Sequence, residues 1–454
     1  MMSARQARPG RDDGGRGGEV GVLWCNRKLV VAVAMVVMAA GCAWTHPRAD
    51  VGNTGANPGE YSISPATVGA LQEQFRLPSA TGSAVPWFVV GRGHVYVGGN
   101  PVRVFDSTGT SGCTGVPRVC TPQWSLTSGA GLQPDVFDGT LYRGGPDAFD
   151  ADGVTDCSGA PKVCQPVWTE GATSQSGTTD PSALHLQWDF ANLHATLRGY
   201  ATTCPPSPAA CPRRWAGETF AYGAGGAAAT VPATDGTRVF AAFTPQANPA
   251  TSTLYAWNGT QSDGTRQWSA QLPGWTSFVA VSDGIVITPV QTPGGGELLA
   301  FDAAGIDHCT GSPAVCQPLW VSDLWTSTGD EHAPAIAHGV VYRAVGSQLR
   351  AYDLRPGAGC AGSPGGCPPR WTATTGSGIS APAVAGGLVF VGDTTGHVAA
   401  FDAAGVQQCA PATHVCQALW DTTLGTAAGP PEVSAGRVYV GAFDGTVRVF
   451  GPPS

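Results

Sequence analysis

The chain has 454 residues with a net charge of −8; 42 % of it is hydrophobic and only 12 % charged, and it carries 64 glycines and 37 prolines. That balance excludes a disordered chain, which lacks the aromatic and β-branched residues found throughout, and it fits a turn-rich β protein. Lys162 is the sole lysine after Lys28, so no basic groove for nucleic acid is expected.

In chain order, the first signal is an address. Arg27 and Lys28 precede an apolar run over 29–40, followed by Gly41-Cys42. The run is shorter than the ~20 residues that span a bilayer. Basic, then apolar, then small residues is the order of a secretory signal. Ala39-Ala40-Gly41-Cys42 resembles the bacterial lipobox, with Ala39 where Leu is usual. The resemblance implies a diacylglycerol on the Cys42 thiol and cleavage before it; the plainer alternative is an ordinary signal peptide with an incidental cysteine. Residues 1–41 are therefore expected to be a lipoprotein-type signal peptide, and the protein to be extracytoplasmic and lipid-anchored at the cell surface or in the periplasm. Removing 1–41 takes off six basic and three acidic residues, so attachment would rest on the lipid, not on a basic patch. Residues 42–65 are rich in Gly, Pro, Asn, Thr and Ser without apolar periodicity, and predict a flexible tether. Residues 66–454 read as one array.

Seven tryptophans mark the array: Trp124, Trp168, Trp215, Trp268, Trp320, Trp371 and Trp420, at intervals of 44, 47, 53, 52, 51 and 49 residues. A period of this length is read as a repeat architecture first. Each unit predicts an alternating strand, a Gly- or Asp-rich turn, a second strand usually ending in an aromatic residue and Asp, and then the tryptophan strand. The first strands fall at 94–99, 140–145, 184–189, 238–243, 284–290, 340–345, 388–393 and 437–443. Their partners fall at 102–106, 146–150, 194–200, 253–258, 297–302, 348–353, 397–402 and 446–451. There are thus eight strand pairs against seven tryptophans. Residues 71–78 supply the missing strand, with Phe75 standing 49 residues before Trp124. The expectation is an all-β, eight-bladed β-propeller of four-stranded antiparallel blades, its last blade closed by the N-terminal strand, which removes the open edge. Seven blades is the alternative, because the third and fourth units are irregular. The tryptophans are read as structural wedges between blades.

Six of the tryptophans follow a Cys-x6-Cys pair: Cys113/Cys120, Cys157/Cys164, Cys204/Cys211, Cys309/Cys316, Cys360/Cys367 and Cys409/Cys416. Zinc sites use shorter gaps and bring two pairs to one ion. Thioredoxin-like chemistry needs Cys-x-x-Cys at a helix start. A disulfide within each pair suits an exported chain best, and would staple the outer hairpin of each blade.

The units resemble the PQQ-like repeat propellers, the quinoprotein alcohol dehydrogenase-like superfamily. Leu388-Val389-Phe390-Val391-Gly392, Val398-Ala399-Ala400-Phe401-Asp402, Gly405 and Trp420 carry that resemblance, as does the opening Thr67-Val68-Gly69-Ala70-Leu71. It implies the propeller fold and tryptophans packed between blades. It leaves function open, since many members bind no quinone. The quinone enzymes commonly hold a vicinal disulfide over the quinone and Ca²⁺ on acidic and amide groups. No Cys-Cys dipeptide and no Cys-x-x-Cys-His haem motif occur here.

Other candidates are weaker. Asp330-Glu331-His332 is the densest polar triplet and is expected on a connection near a channel mouth, as a solvated turn before a metal or catalytic site. His185, Trp188, Asp189, Asn192 and His194 depart most from the repeat, which marks either a binding face or drift. Asn258-Gly259-Thr260 matches a glycosylation sequon. No catalytic, cofactor-binding or metal residues are assigned. The first reading is a non-catalytic, surface-anchored, monomeric propeller that binds an envelope protein or surface ligand. The alternatives are a quinone-dependent oxidoreductase using PQQ with Ca²⁺, and a carbohydrate or small-ligand module using the central channel.

Overall fold

The computed structural model describes residues 43–453 except 81, 83, 128–132, 144–146, 170–173, 181–183, 192–193, 202–212, 222–226, 246–250, 326–331, 356–359 and 361–365. It is all β, apart from one turn of 3-10 helix at Val68–Ala70. Among the described residues eight sheets follow one another, each with a core of four antiparallel strands, taken from consecutive chain in all but the eighth. The fifth shows the plan: innermost Ala280–Ser282, then Ile285–Thr292, Gly295–Asp302 and outermost Trp320–Val321. In the eighth, Ala428–Ser434, Arg437–Ala442 and Thr446–Gly451 come from the end of the chain, while the fourth strand is Gln72–Pro78, with Phe75 opposite Val449. The predicted strand pairs are the middle two strands of each sheet.

Turn chemistry explains the local geometry. The turn between the first two strands has positive φ at both residues in Asp138-Gly139 and Asp283-Gly284, the two-residue turn whose twist suits a hairpin. His338-Gly339 does the same, so His338 is a turn residue. The aspartate ending the third strand then organises the way out. In the seventh sheet the Asp402 carboxylate accepts backbone N–H groups of Ala404, Val406 and Gln407 at 3.1, 2.9 and 2.7 Å. Asp106, Asp150 and Asp302 repeat this cradle. Burial alone would raise the Asp106 pKa, but the converging donors hold it at about 2.

All seven repeat tryptophans are buried. The indole N–H groups of Trp268, Trp320 and Trp371 donate to carbonyls of the next unit, Ala303, Leu354 and Ala403, at 3.0, 3.0 and 3.3 Å. Trp420 donates likewise to Leu71, at 3.3 Å. Several of the rings lie on a glycine: a Cβ on Gly405 would stand 2.2 Å from Trp371, one on Gly305 2.3 Å from Trp268, and one on Gly109 2.3 Å from the Phe75 ring. Phe75 therefore fills the position that tryptophan fills elsewhere. Fully burying such a side chain is worth about 2–3 kcal/mol. Apolar clusters span successive sheets, for instance Trp268 and Phe240 of the fourth with Val286 and Phe301 of the fifth. Val95 and Phe105 of the first sheet share one cluster with Val438 and Val440 of the eighth.

Five of the six cysteine pairs are disulfides: Cys113–Cys120, Cys157–Cys164, Cys309–Cys316, Cys360–Cys367 and Cys409–Cys416. Cys204 and Cys211 lie outside the described residues. The clips are not the outer hairpins of their own sheets. Four of the hairpins leave their unit and lie along the outer strand of the preceding sheet. Arg118–Cys120 pairs parallel with Gln72–Pro78, Val163–Cys164 with Trp124–Leu126, Ala314–Cys316 with Arg266–Leu272, and Val415–Cys416 with Trp371–Thr374. The clips cover edges that would otherwise show unpaired backbone groups, and they join neighbouring sheets.

The expected tether is overturned. Residues 43–65 are packed, with Trp44, Asn53, Asn57, Glu60 and Ile63 all buried. The segment walks across the innermost strands in order. Trp44 exchanges backbone bonds with Val90 of the first sheet at 2.8 and 2.7 Å, and Thr45 accepts from Val136 of the second at 2.9 Å. Val51 then accepts from Thr234, Gly52 from Val281, Thr54 from Ile336 and Gly55 from Val384, at 2.7–2.9 Å, reaching the fourth to seventh sheets. Asn57 Nδ2 donates to Val433 of the eighth at 2.9 Å. Polar composition without periodicity resembles a linker, but here the segment's backbone and Asn57 find partners on seven different sheets.

Candidate functional site

The innermost strands converge on a cavity of about 520 Å³. Its walls are the stretches that enter those strands: Trp87 and Phe88, Ser277 and Phe278, His332 and Ala333, Ser380 and Ala381, and Gly429 to Glu432. The packed segment supplies Trp44, Pro47, Arg48 and Asn53. A second depression of about 300 Å³ lies across the segment, lined by Asp50, Glu60, Tyr61, Asp283, His338 and the Gly386-Gly387 turn. The turns that line it follow the innermost strands, so the two depressions sit at opposite ends of those strands.

Buried charge gathers at the segment. His46 Nδ1 lies 2.5 Å from Asp135 Oδ1, with both side chains buried. Burial would lower the imidazole pKa, but the Asp135 charge and hydrogen bond outweigh it and raise the pKa above 6.5. Asp50 folds back on Thr54, accepting its backbone N–H at 2.9 Å and its hydroxyl at 2.5 Å. Arg48 is 8 % exposed and Glu432 is 6 % exposed. Burial lowers the Arg48 pKa to about 10 against the pull of Glu432 and Asp50, so it remains a cation at neutral pH. Burial likewise pushes the Glu432 carboxyl well above the usual carboxylate range, opposed by Arg48. Arg48 Nη2 donates to the carbonyls of Pro334 and Pro382 at 3.0 and 2.9 Å, and the guanidinium lies 5.9 Å from the centre of the Phe278 ring.

Of the triplet singled out in the sequence, His332 lines the cavity, while Asp330 and Glu331 lie outside the described residues. The irregular third unit forms no assembled site among the described residues. Trp188 is buried and donates to Thr230 at 2.9 Å within an aromatic cluster with Trp215, Phe243 and Trp257, and His194 is exposed. The side chains of His185 and Asp189, and all of Asn192, lie outside the described residues. Asn258 Oδ1 accepts from both N–H and hydroxyl of Thr260, at 2.9 and 2.8 Å, so the sequon is a self-bonded turn. Cys42 lies outside the described residues. Sequence reading missed Trp44, Arg48, Phe278 and Glu432. The available signals were slight: Arg48 is the lone arginine or lysine between Lys28 and Arg76, and Glu432 interrupts an otherwise uncharged strand after two prolines.

A calcium-bound polycarboxylate quinone would need several cationic donors for its carboxylates and a cluster of acidic or amide groups for the metal. Among the described residues the cavity wall offers one guanidinium, already bonded to two carbonyls, against one buried carboxyl. No group of three His, Cys, Asp or Glu residues able to hold a metal ion occurs among the described residues. This donor set does not fit that group.

No protein-family model matches the chain, and no curated protein does. Solved structures do. The quinohemoprotein alcohol dehydrogenase from Comamonas testosteroni is similar at a TM-score of 0.61 and 12 % identity, over 92 % of this chain and 82 % of that one. A europium-containing methanol dehydrogenase is similar at 0.56 and 13 %, over 90 % and 98 %. BamB from Moraxella catarrhalis is similar at 0.51 and 14 %, over 84 % and 97 %. At these identities the likeness is one of architecture, and the chain has the fold of the PQQ-like β-propellers.

Proposed function

We propose that this protein is a surface-anchored, non-catalytic propeller that serves as a binding scaffold of the cell envelope. In this reading the eight sheets are eight blades of one closed ring, and Gln72–Pro78 completes the last. The shared apolar cluster of the first and eighth sheets and the ordered walk of residues 43–57 across the innermost strands support closure. The acyl group on Cys42 fixes the ring to the membrane, and a protein partner meets its rim or mouth. Such a ring acts as a monomer.

One observation carries the reading: the chain's own segment occupies the axis, bonded to the innermost strands of seven sheets. In this reading much of the centre is given to holding the ring together, and the cavity of about 520 Å³ is what remains at one end of the inner strands. The described cysteines are likewise paired in structural disulfides. A quinone-dependent dehydrogenase is disfavoured by the donor set of the cavity.

The test is crosslinking on intact cells with the full chain and with Cys42→Ala. The expected result is a membrane-bound wild type that yields one reproducible envelope-protein adduct, and a Cys42→Ala chain released to the soluble fraction. Dye-linked alcohol or sugar oxidation on adding quinone and Ca²⁺ to the purified protein would overturn the scaffold reading.

A further inference from the structure

We infer that the outer edge of the third sheet, at 217–221, is a docking edge for an extended segment of a partner protein, which adds to the sheet as one more strand and carries an acidic flank. This rests on the scaffold reading and deepens it, because it gives the partner a place and a chemistry.

The edge stands out against the rest of the array. Elsewhere the hairpin of one unit covers the outer strand of the sheet before it, and it does so at the residues that follow the tryptophan. Ser125 and Thr127 donate to the carbonyls of Lys162 and Cys164 at 3.1 and 3.0 Å, Thr372 donates to that of His414 at 2.9 Å, and Cys367 donates to that of Val321 at 2.8 Å. The fourth unit has no cysteine pair: Trp268 stands 10 positions after Asn258, whereas Trp320 stands 18 after Asp302. The hairpin that would lie on the third sheet is thus missing from the chain. That sheet's outer strand, Arg213–Ala221, has nine residues, against two to seven in the other outer strands. Among the described residues it pairs only with His194–Ala201, and no backbone hydrogen bond reaches its outer side. The shortened loop touches it at Ala216, whose carbonyl oxygen would stand 2.4 Å from a Cβ on Gly264. Past that contact the edge is open. The outer strand of the seventh sheet, Trp420–Thr423, is also unpaired outwards among the described residues, but it has only four residues.

The edge is held ready from behind. Trp215 Nε1 donates to the Asn258 carbonyl at 2.9 Å, and the Phe220 ring packs on Phe243 and Tyr255 with centres 5.1 and 4.7 Å away. The strand is therefore fixed in the extended form before anything docks, which lowers the ordering cost of docking. Unpaired N–H and C=O groups along an edge are a template for another strand. Strand addition draws affinity from main-chain bonds and specificity from alternate side chains. Two features select the occupant. The strands that cover the equivalent edges place valine before their second cysteine, at Val119, Val163, Val315 and Val415, so the added segment is extended and β-branched. Arg213 and Arg214 are exposed and form no ion pair among the described residues, so the flank at that end is acidic.

The test titrates the full chain, purified in detergent, with a fluorescein-labelled peptide: a pair of aspartates followed by alternating valine and threonine. A control peptide has proline in place of each valine and cannot complete a ladder. Fluorescence anisotropy and amide hydrogen exchange are the readouts. Saturable binding of the first peptide alone is expected, with exchange slowed only within 213–221. A chain in which 259–267 is replaced by a copy of 303–319 regains a clip over this edge, and should bind about tenfold more weakly or not at all. Arg213→Glu with Arg214→Glu should weaken binding about fivefold, the scale of two exposed charge pairs, and leave the melting temperature unchanged. No saturable binding up to millimolar peptide overturns the proposal, as does equal binding of the proline peptide or protection elsewhere in the chain. So does a purified protein that dimerises with the same residues protected, because the occupant is then a second copy. All of this is read on the isolated protein. An envelope adduct formed by a chain whose edge takes no peptide would therefore sink this proposal and leave the scaffold reading standing.

Discussion

The outer edges of the sheets, the rim of the ring proposed above, and the segment at 43–57, its axis, solve the same problem by different means. Both must join one sheet to the next. On the rim the solution is repeated: a disulfide hairpin from one unit lies on the outer strand of its neighbour. On the axis it is made once, by a single segment that gives about one hydrogen bond to each innermost strand it meets. Repetition spreads the stabilisation over many equivalent joints, so losing one joint costs little. The axial segment concentrates it, so losing the segment affects every sheet it touches.

The largest expected effect comes from the axis. A chain that starts at residue 66, keeping Gln72–Pro78 but lacking the segment, should lose more than about 5 kcal/mol, the scale of a domain's net stability, and show no cooperative melting by circular dichroism. If it melts as the parent does, the segment is a passenger and the contrast between the two regions disappears.

A smaller break is His46→Gln. It leaves Asp135 buried without its charged partner and should cost about 3 kcal/mol in urea unfolding at pH 6. The sign of its pH dependence follows from the raised pKa of His46. The pair's contribution is complete below the ordinary value of 6.5 and is lost as pH rises through the higher folded-state value. The stability difference between parent and variant should therefore narrow towards alkaline pH. A difference that widens instead would show that His46 is held neutral.

The smallest effect belongs to the rim. Replacing Cys409 and Cys416 together with serine opens one clip, a separation of 7 residues. This should cost roughly 2.5 kcal/mol in the chain-entropy model, measured by denaturant unfolding. Limited proteolysis should then cut near Ala410 first. A loss several-fold larger would mean that the clips cooperate around the rim and do not act singly.

The same contrast governs what could be read in advance. The rim was legible because it repeats: tryptophan, cysteine and aspartate recur at fixed spacing, and each recurrence supports the others. Phe75 was placed by period alone, although it is not tryptophan. The innermost strands were not legible, since Ala280–Ser282 and Ala335–Ala337 have three residues each, too few to show alternation. The segment at 43–65 was misread because its partners are scattered through the chain. Asn57 meets Val433, and Asn53 donates to Pro232 and Val279 at 3.2 and 3.1 Å. Composition registers that these residues are polar, but not that Asn53 and Asn57 bond to strands far away in the chain. The cavity went unseen for the same reason: Arg48 and Glu432 are 384 residues apart in the chain and meet only through the fold.

The direction of the chain at Trp44 has one more implication. Its bridge to Val90 is antiparallel, so the residue before it heads past Gly91 towards the Arg92-Gly93 turn, and the Ala43 Cβ lies 3.7 Å from where a Cβ on Gly91 would be. The cavity opens at the other end of those strands. A body moored through Cys42 would have no leash: it would ride flush on the lipid surface, turns downward, with the aromatic mouth held open to whatever lies outside.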